Sequence, residues 1–348
     1  MRDTGTWVSE RDTIADTIVV RTLSGSVWGT KAKLEEVLSI GVVHGPEEFE
    51  FGEIAGVAVD GTGGVYVFDR SVPALRYYDS SGRYVRTLGR TGSGPGEYQK
   101  AFALAVREDG LVVLHDPDNQ RLNVYEPDGR AWSHWHVPSN LRAPSSLHVG
   151  PDDHVYLEIF TDWVRPRGAV PRTGLLHLDA QGNVIDTIKV PRMERESAVR
   201  YPPHRKLWAW SRGGLMVVGV NDLYSLDVHE AGQTVVRIEK EFQPIPYEKR
   251  PRQDPLPEFM PPYSQLHVGD RGRIWIAAAM SLDMFNELQA AIFDVFEPNG
   301  AYLGQVHIPK GASPRVFRGD TVWATKRGEY GEPYIAVYRV VAGTKAVR

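Results

Sequence analysis

Gly89-Arg90-Thr91-Gly92-Ser93-Gly94-Pro95-Gly96-Glu97-Tyr98 joins two runs that both read as β-strands, "YVRTL" before it and "FALAV" after it. Four glycines and a proline fall within the nine residues 89–97. A phosphate-cradling loop would end in Gly-Lys-Ser/Thr and open a helix, whereas this one ends in Gly-Glu-Tyr and leads into a strand. Glycine supplies the left-handed backbone and close approach that a tight crossing requires. The stretch therefore turns a corner between two sheets.

The same corner occurs upstream, where Gly45-Pro46-Glu47-Glu48-Phe49 matches Gly94-Pro95-Gly96-Glu97-Tyr98. The two Gly-Pro pairs lie 49 residues apart. A strand-built period of about 40–50 residues is the signature of a propeller blade. Each corner is followed by four short runs joined by Gly, Asp, Asn and Pro turns. After the second come "FALAVR", "LVVLHD", "LNVYE" and "RAWSHWHV". Looser copies continue through "SSLHVGPDDHVYLEIF", "KLWAWSRGGLMVVGV" and "SQLHVGDRGRIWIAAAM". A sixth copy, "RVFRGDTVWATKRG" with "YIAVYRVV", lacks its outer strand, and "KLEEVLSIG" from Lys33 supplies it. The expectation is an all-β chain, one six-bladed β-propeller of four-stranded antiparallel blades, closed by an N-terminal strand in the last blade. The blades fall at 50–92, 93–138, 139–191, 201–247, 261–309 and 313–341 plus 32–41, within a single domain spanning 1–348. "TIVVRTL", residues 17–23, is a further strand without an assigned place.

Composition agrees. Gly 34 and Pro 24, with Trp 9, Tyr 15 and Phe 11, favour short strands and many turns over long helices. A net charge of −4 argues against a nucleic-acid partner. The absence of cysteine excludes thiol catalysis, thiolate zinc and disulfides. No apolar run approaches the ~18 residues of a membrane span. "MRDTGTW" carries no apolar leader, which fits either a cytosolic chain or one whose signal has been removed. No G-x-S-x-G elbow and no H-E-x-x-H zinc helix is present.

The corner motif and the "VFDRSVPALRYYDSSG" and "LHDPDNQRLNVYEPDG" segments resemble the NHL-type six-bladed β-propellers, in particular the bacterial group with a Gly-Arg-x-Gly-x-Gly-Pro-Gly-Glu-aromatic blade linker. The likeness is strong over residues 39–138 and continues more weakly to 340. It implies a secreted or periplasmic setting, and it leaves activity open, since propellers host enzymes and scaffolds alike.

Function in a propeller collects where loops converge on the channel mouth. Sequence position places Glu53, Tyr98, Arg142, His204, Arg205, Tyr263 and Arg315 at or near the starts of inner strands. It places Glu158, Trp163, Arg165, Asn221 and Asp222 at facing loop tips. Tyr98, Arg142, Trp163, Arg165, Arg205 and Tyr263 are the candidate ligand-binding residues, although Tyr98 and Tyr263 also read as wedges between blades. Long linkers rich in Arg and Pro between blades three and five suit a basic rim or a lid over an anionic ligand. Asp69 and Asp116 end equivalent strands and read as acceptors for loop amides. His148 and His267, with Ala58, Ala105 and Trp208 taken as equivalents, read as a packing slot rather than a shared metal site.

Six-bladed calcium enzymes of the gluconolactonase and phosphotriesterase kind use a Glu/Asn/Asp set, for which Glu53, Glu158, Asn221 and Asp222 are the candidates here. Their Glu-Gly-Pro motif is not matched, since Ile54-Ala55-Gly56 follows Glu53. Amidating lyases use histidines where this chain has Leu75, Gln120 and Gly174, which disfavours that activity. Two functions follow. The first is a binding module for an anionic or polar small molecule or glycan at the channel mouth. The second is a calcium-type hydrolase of lactones or phosphoesters, with Glu53 or His204 as base or nucleophile. A scaffold for a protein partner is a third.

Overall fold

A computed structural model describes residues 5–29, 32–138, 146–161, 172–193, 206–247 and 258–342. Six sheets, each built on four antiparallel strands, form the blades of a six-bladed β-propeller. Their inner strands are Ile54–Val59, Ala103–Val106, Leu147–Val149, Lys206–Trp210, Tyr263–Val268 and Ala312–Arg318. The inner strand of the sixth blade packs on that of the first, which closes the ring. Second strands such as Val65–Asp69 and Val112–Asp116 are buried along their whole length, because a neighbouring blade covers each face. That burial explains why they read as continuous apolar runs rather than as an alternation.

The sixth blade is completed by Lys33–Ile40, antiparallel to Pro333–Val341. This is the closure expected from "KLEEVLSIG". At the glycine-rich corner, Arg90–Thr91 pairs in parallel with Glu97–Tyr98. The Glu97 carboxylate accepts from Gly94 N at 2.7 Å and from Arg90 Nε at 2.8 Å. Gly89 has φ +64°, and a Cβ there would lie 2.7 Å from Gly96 O and 2.8 Å from the Tyr125 hydroxyl. Only glycine fits that position.

Residues 17–23 find their place far from their sequence neighbours. Thr17–Ser24 pairs in parallel with Gln233–Lys240, the outer strand of the fourth blade, and Val8–Ile14 adds outside it, so this sheet has six strands. The chain then crosses the fifth blade, where the amides of Val27, Trp28 and Ala32 donate to the carbonyls of Tyr302, Leu303 and Gln305. It ends in the sixth blade. Three consecutive blades are thus strapped by one N-terminal segment. The α-helix among the described residues, Leu282–Leu288, is capped by Ser281, whose hydroxyl accepts from Met284 N at 3.2 Å.

One equivalence needs correction. At the turn that opens with Ser211, as at those opening with Asp60, Arg107, Gly150 and Gly269, the amide of the first residue donates to the carbonyl four residues on. Counting back from it, the fourth-blade counterpart of His148 and His267 is Ala209 rather than Trp208.

Candidate functional site

The inner strands surround a central cavity of about 460 Å³ to which every blade contributes, through Val59, Ala105, His148, Trp208, His267 and Arg315 among others. One end of it lies where the inner strands begin. Glu158 stands there, because its amide donates to Ser146 O at 3.0 Å, at the start of the third inner strand. Burial pushes its carboxyl up, against a bond from Ser146.

Arg315 reaches the cavity through a backbone irregularity. In the sixth inner strand Pro314 pairs with Ala324 and Val316 with Trp323, so Arg315 is the extra residue of a bulge. Bulges re-aim side chains in this way. Its Nε donates to Thr325 Oγ1 at 3.3 Å. Solvent reaches the guanidinium along the channel, yet the surrounding walls crowd it and burial lowers its pKa from the ordinary value.

His148 and His267 lie in the wall between these groups. Burial depresses both imidazoles to about 4, with the Arg315 charge adding to the effect at His267, so both are neutral at pH 7. His148 packs 6.3 Å from the Trp208 ring and His267 5.2 Å from that of Phe317. The packing slot therefore also forms the channel wall.

At the opposite end the arginines are neutralised. Arg212 donates to Val106 O at 3.2 Å and pairs with Glu108 at 3.4 Å and Asp153 at 3.5 Å. Arg318 pairs with Asp270 at 3.4 Å and bonds Asp60 O.

The Glu53 carboxylate is held by Arg70, through Nε at 3.0 Å and a second bond from Nη2. Tyr98 is fully buried. Its hydroxyl donates to Leu88 O and accepts from Leu75 N, both at 3.0 Å, and burial pushes the phenol up to about 12. Tyr263 is also fully buried, with its hydroxyl toward Ser225 O at 3.4 Å. Both rings act in the seams between blades and present no face to the channel. Asn221 is buried and donates to Tyr263 O at 2.9 Å. Asp222 borders a separate groove of about 490 Å³ beside Tyr224 and Lys240. Arg142, Trp163, Arg165, His204 and Arg205 lie outside the described residues.

Glu53, Glu158, Asn221 and Asp222 do not fit a calcium ion. Arg70 engages both oxygens of Glu53, and among the described residues no three His, Asp or Glu side chains converge as a metal would need. Asp69 instead serves the backbone. Its carboxylate accepts from the amides of Gly52 at 2.8 Å and of Glu53 and Ser71 at 3.0 Å, with Arg76 3.6 Å away. Asp116 accepts from Gln99 N at 3.0 Å in the same manner.

Two clusters carried no sequence signal, because their members lie on strands that only the fold brings together. Asp294 accepts from the hydroxyls of Tyr224 and Tyr302 at 2.6 Å and pairs with Lys240 at 2.9 Å. Burial alone would raise its carboxyl, but Lys240 and the two hydroxyls outweigh that and hold it below its ordinary value. On the third blade His154 Nδ1 meets His177 Nε2 at 2.8 Å, and His177 Nδ1 meets Asp186 at 3.0 Å. No hydroxyl nucleophile bonds either ring among the described residues.

Comparison with known proteins agrees with this architecture. Residues 18–131 match a family model described as a 6-bladed beta-propeller (DUF5128). A crystal structure of a Bacteroides fragilis protein covers 88% of this chain and 95% of its own, at 12% identity and a TM-score of 0.54. One of a duf4221 family member from Bacteroides vulgatus covers 90% and 99%, at 10% identity and a TM-score of 0.55. A gluconolactonase of Xanthomonas campestris aligns over 88% and 98% at 13% identity and a TM-score of 0.46, too distant to bear on activity. No curated protein matches in sequence.

Proposed function

We propose that the protein is a binding module, of NHL-type kinship through its glycine-rich blade linkers, that takes an anionic or polar small molecule or glycan at the mouth of its central channel. One observation carries this reading. A cavity of about 460 Å³, within the range of small-molecule sites, is walled by all six blades and holds a carboxylate, a guanidinium and two neutral imidazoles. Polar groups converging on a partly apolar pocket, on a rigid frame, are the usual form of a ligand site.

The test is a thermal-shift screen of polar and anionic small molecules and glycans, followed by calorimetry of the hits. Binding should be lost in Ser146→Trp, which fills the mouth, while the melting temperature of the free protein is retained. Hits that bind Ser146→Trp with unchanged affinity sit elsewhere and would overturn the reading.

A further inference from the structure

Among the described residues five charged side chains line the channel: Glu158, Arg212, Asp270, Arg315 and Arg318. Arg212 is neutralised by Glu108 and Asp153, and Arg318 and Asp270 neutralise each other. Glu158 and Arg315 remain. Among the described residues each has only a neutral hydroxyl partner, Ser146 for the carboxylate and Thr325 for the guanidinium, and no ion pair joins them. Glu158 belongs to the third blade and Arg315 to the sixth, which are opposite members of a ring of six. The wall between them carries the neutral imidazoles of His148 and His267 and the rings of Trp208 and Phe317.

The half-buried Glu158 carboxylate, without a counter-charge, carries a desolvation cost that a cationic ligand group recovers on binding, while the solvent-accessible Arg315 offers a planar guanidinium to an anionic one. A simple anion would satisfy Arg315 and leave Glu158 unpaired, while a simple cation would do the reverse. A molecule carrying both charges satisfies both walls. Because Glu158 and Arg315 belong to opposite blades, a molecule with its charges at opposite ends suits them better than an α-amino acid, whose charged groups share one carbon. We propose, on the basis of the channel-binding reading, that the cavity takes a zwitterion with its charges at opposite ends, an ω-amino acid or a short peptide. Its ammonium group sits on Glu158 and its carboxylate on Arg315, with the spacer against Trp208 and Phe317. The bulge at Arg315 and the mouth position of Glu158 both serve this division of labour.

Calorimetry on the full chain at pH 7.5 tests it with 6-aminohexanoate, triglycine, hexanoate and hexylamine. A zwitterion should bind roughly tenfold or more tightly than either single-charge analogue, a ratio that needs no variant. Arg315→Met should bring 6-aminohexanoate down to the affinity of hexylamine, and Glu158→Gln should bring it down to that of hexanoate. Equal affinity for hexanoate and 6-aminohexanoate, or no binding of either zwitterion, overturns the assignment. If another polar ligand then binds and is lost in Ser146→Trp, the channel reading stands without it. If every ligand found binds Ser146→Trp unchanged, the channel reading itself fails.

Discussion

The hydroxyl of Tyr98 donates to the carbonyl of Leu88 at 3.0 Å, tying the end of the glycine-rich corner back to the strand that precedes it. The same hydroxyl accepts from Leu75 N. Tyr98→Phe leaves a buried amide and a buried carbonyl without this partner, at a cost of about 2–4 kcal/mol. Denaturant midpoints with an unchanged slope would report it. A change within about 0.5 kcal/mol would show that the hydroxyl is dispensable to the seam.

Asp69 carries a comparable share of the first blade. Removing the carboxylate in Asp69→Ala strands four loop amides and leaves Arg76, itself buried, without its counter-charge. Breaking a buried pair on one side costs about 3–5 kcal/mol. Asp69→Asn keeps one acceptor oxygen and should lose less. The order of the two midpoints is the diagnostic.

The channel imidazoles make stability depend on pH in a definite direction. Folding depresses His148 and His267 to about 4, from an ordinary value near 6.5. Between those values the unfolded chain binds more protons than the folded one, so stability falls as pH drops from 6.5 towards 4. His115, buried and likewise depressed to about 4, contributes in the same window. Melting temperatures at pH 7, 6 and 5 should decline, and His148→Gln with His267→Gln should flatten part of that decline. An unaltered slope in the double variant would assign the effect elsewhere.

Val20 is buried against the fourth and fifth blades, where a Cβ on Gly300 would come within 2.7 Å of it. Val20→Ala should destabilise by about 1–3 kcal/mol through the lost contacts and the void left behind. Hydrogen exchange should rise first in Val8–Ile14 and Thr17–Ser24, with the first three blades unaffected. Uniform loosening of all blades would contradict a locally fastened hairpin.

Because Arg70 occupies Glu53 and no acidic cluster forms among the described residues, neither calcium nor EDTA should move the melting temperature. A stoichiometric calcium ion found by mass spectrometry would reverse that conclusion and revive the hydrolase.

The propeller was legible because its signals are local. The corner from Gly89 to Tyr98, the turn carboxylates of Asp69 and Asp116, and the displaced strand Lys33–Ile40 each repeat a pattern within one period. What was not legible depends on distance or on single-residue offsets. Thr17–Ser24 joins the fourth blade by parallel pairing with no connecting turn to announce it. The register of Trp208 and Ala209 is ambiguous in sequence because "KLWAWS" offers no clean alternation. Arg315 could be placed on an inner strand, but its aim into the channel rests on a bulge that only pairing with Ala324 and Trp323 reveals. Leu282–Leu288 is a capped helix of only about two turns, too short to show a clear period.

The N-terminal strap also sets a timetable for synthesis. Residues of the strap are synthesised long before their partners: Thr17 bonds Thr234, 217 residues on, and Glu36 meets Lys326 after 290. Until then the early strands have open edges, which other chains can capture. Docking on the fourth blade gives the hairpin a foothold roughly a hundred residues before the ring can shut, so the growing chain need not carry its closing strand loose until the end.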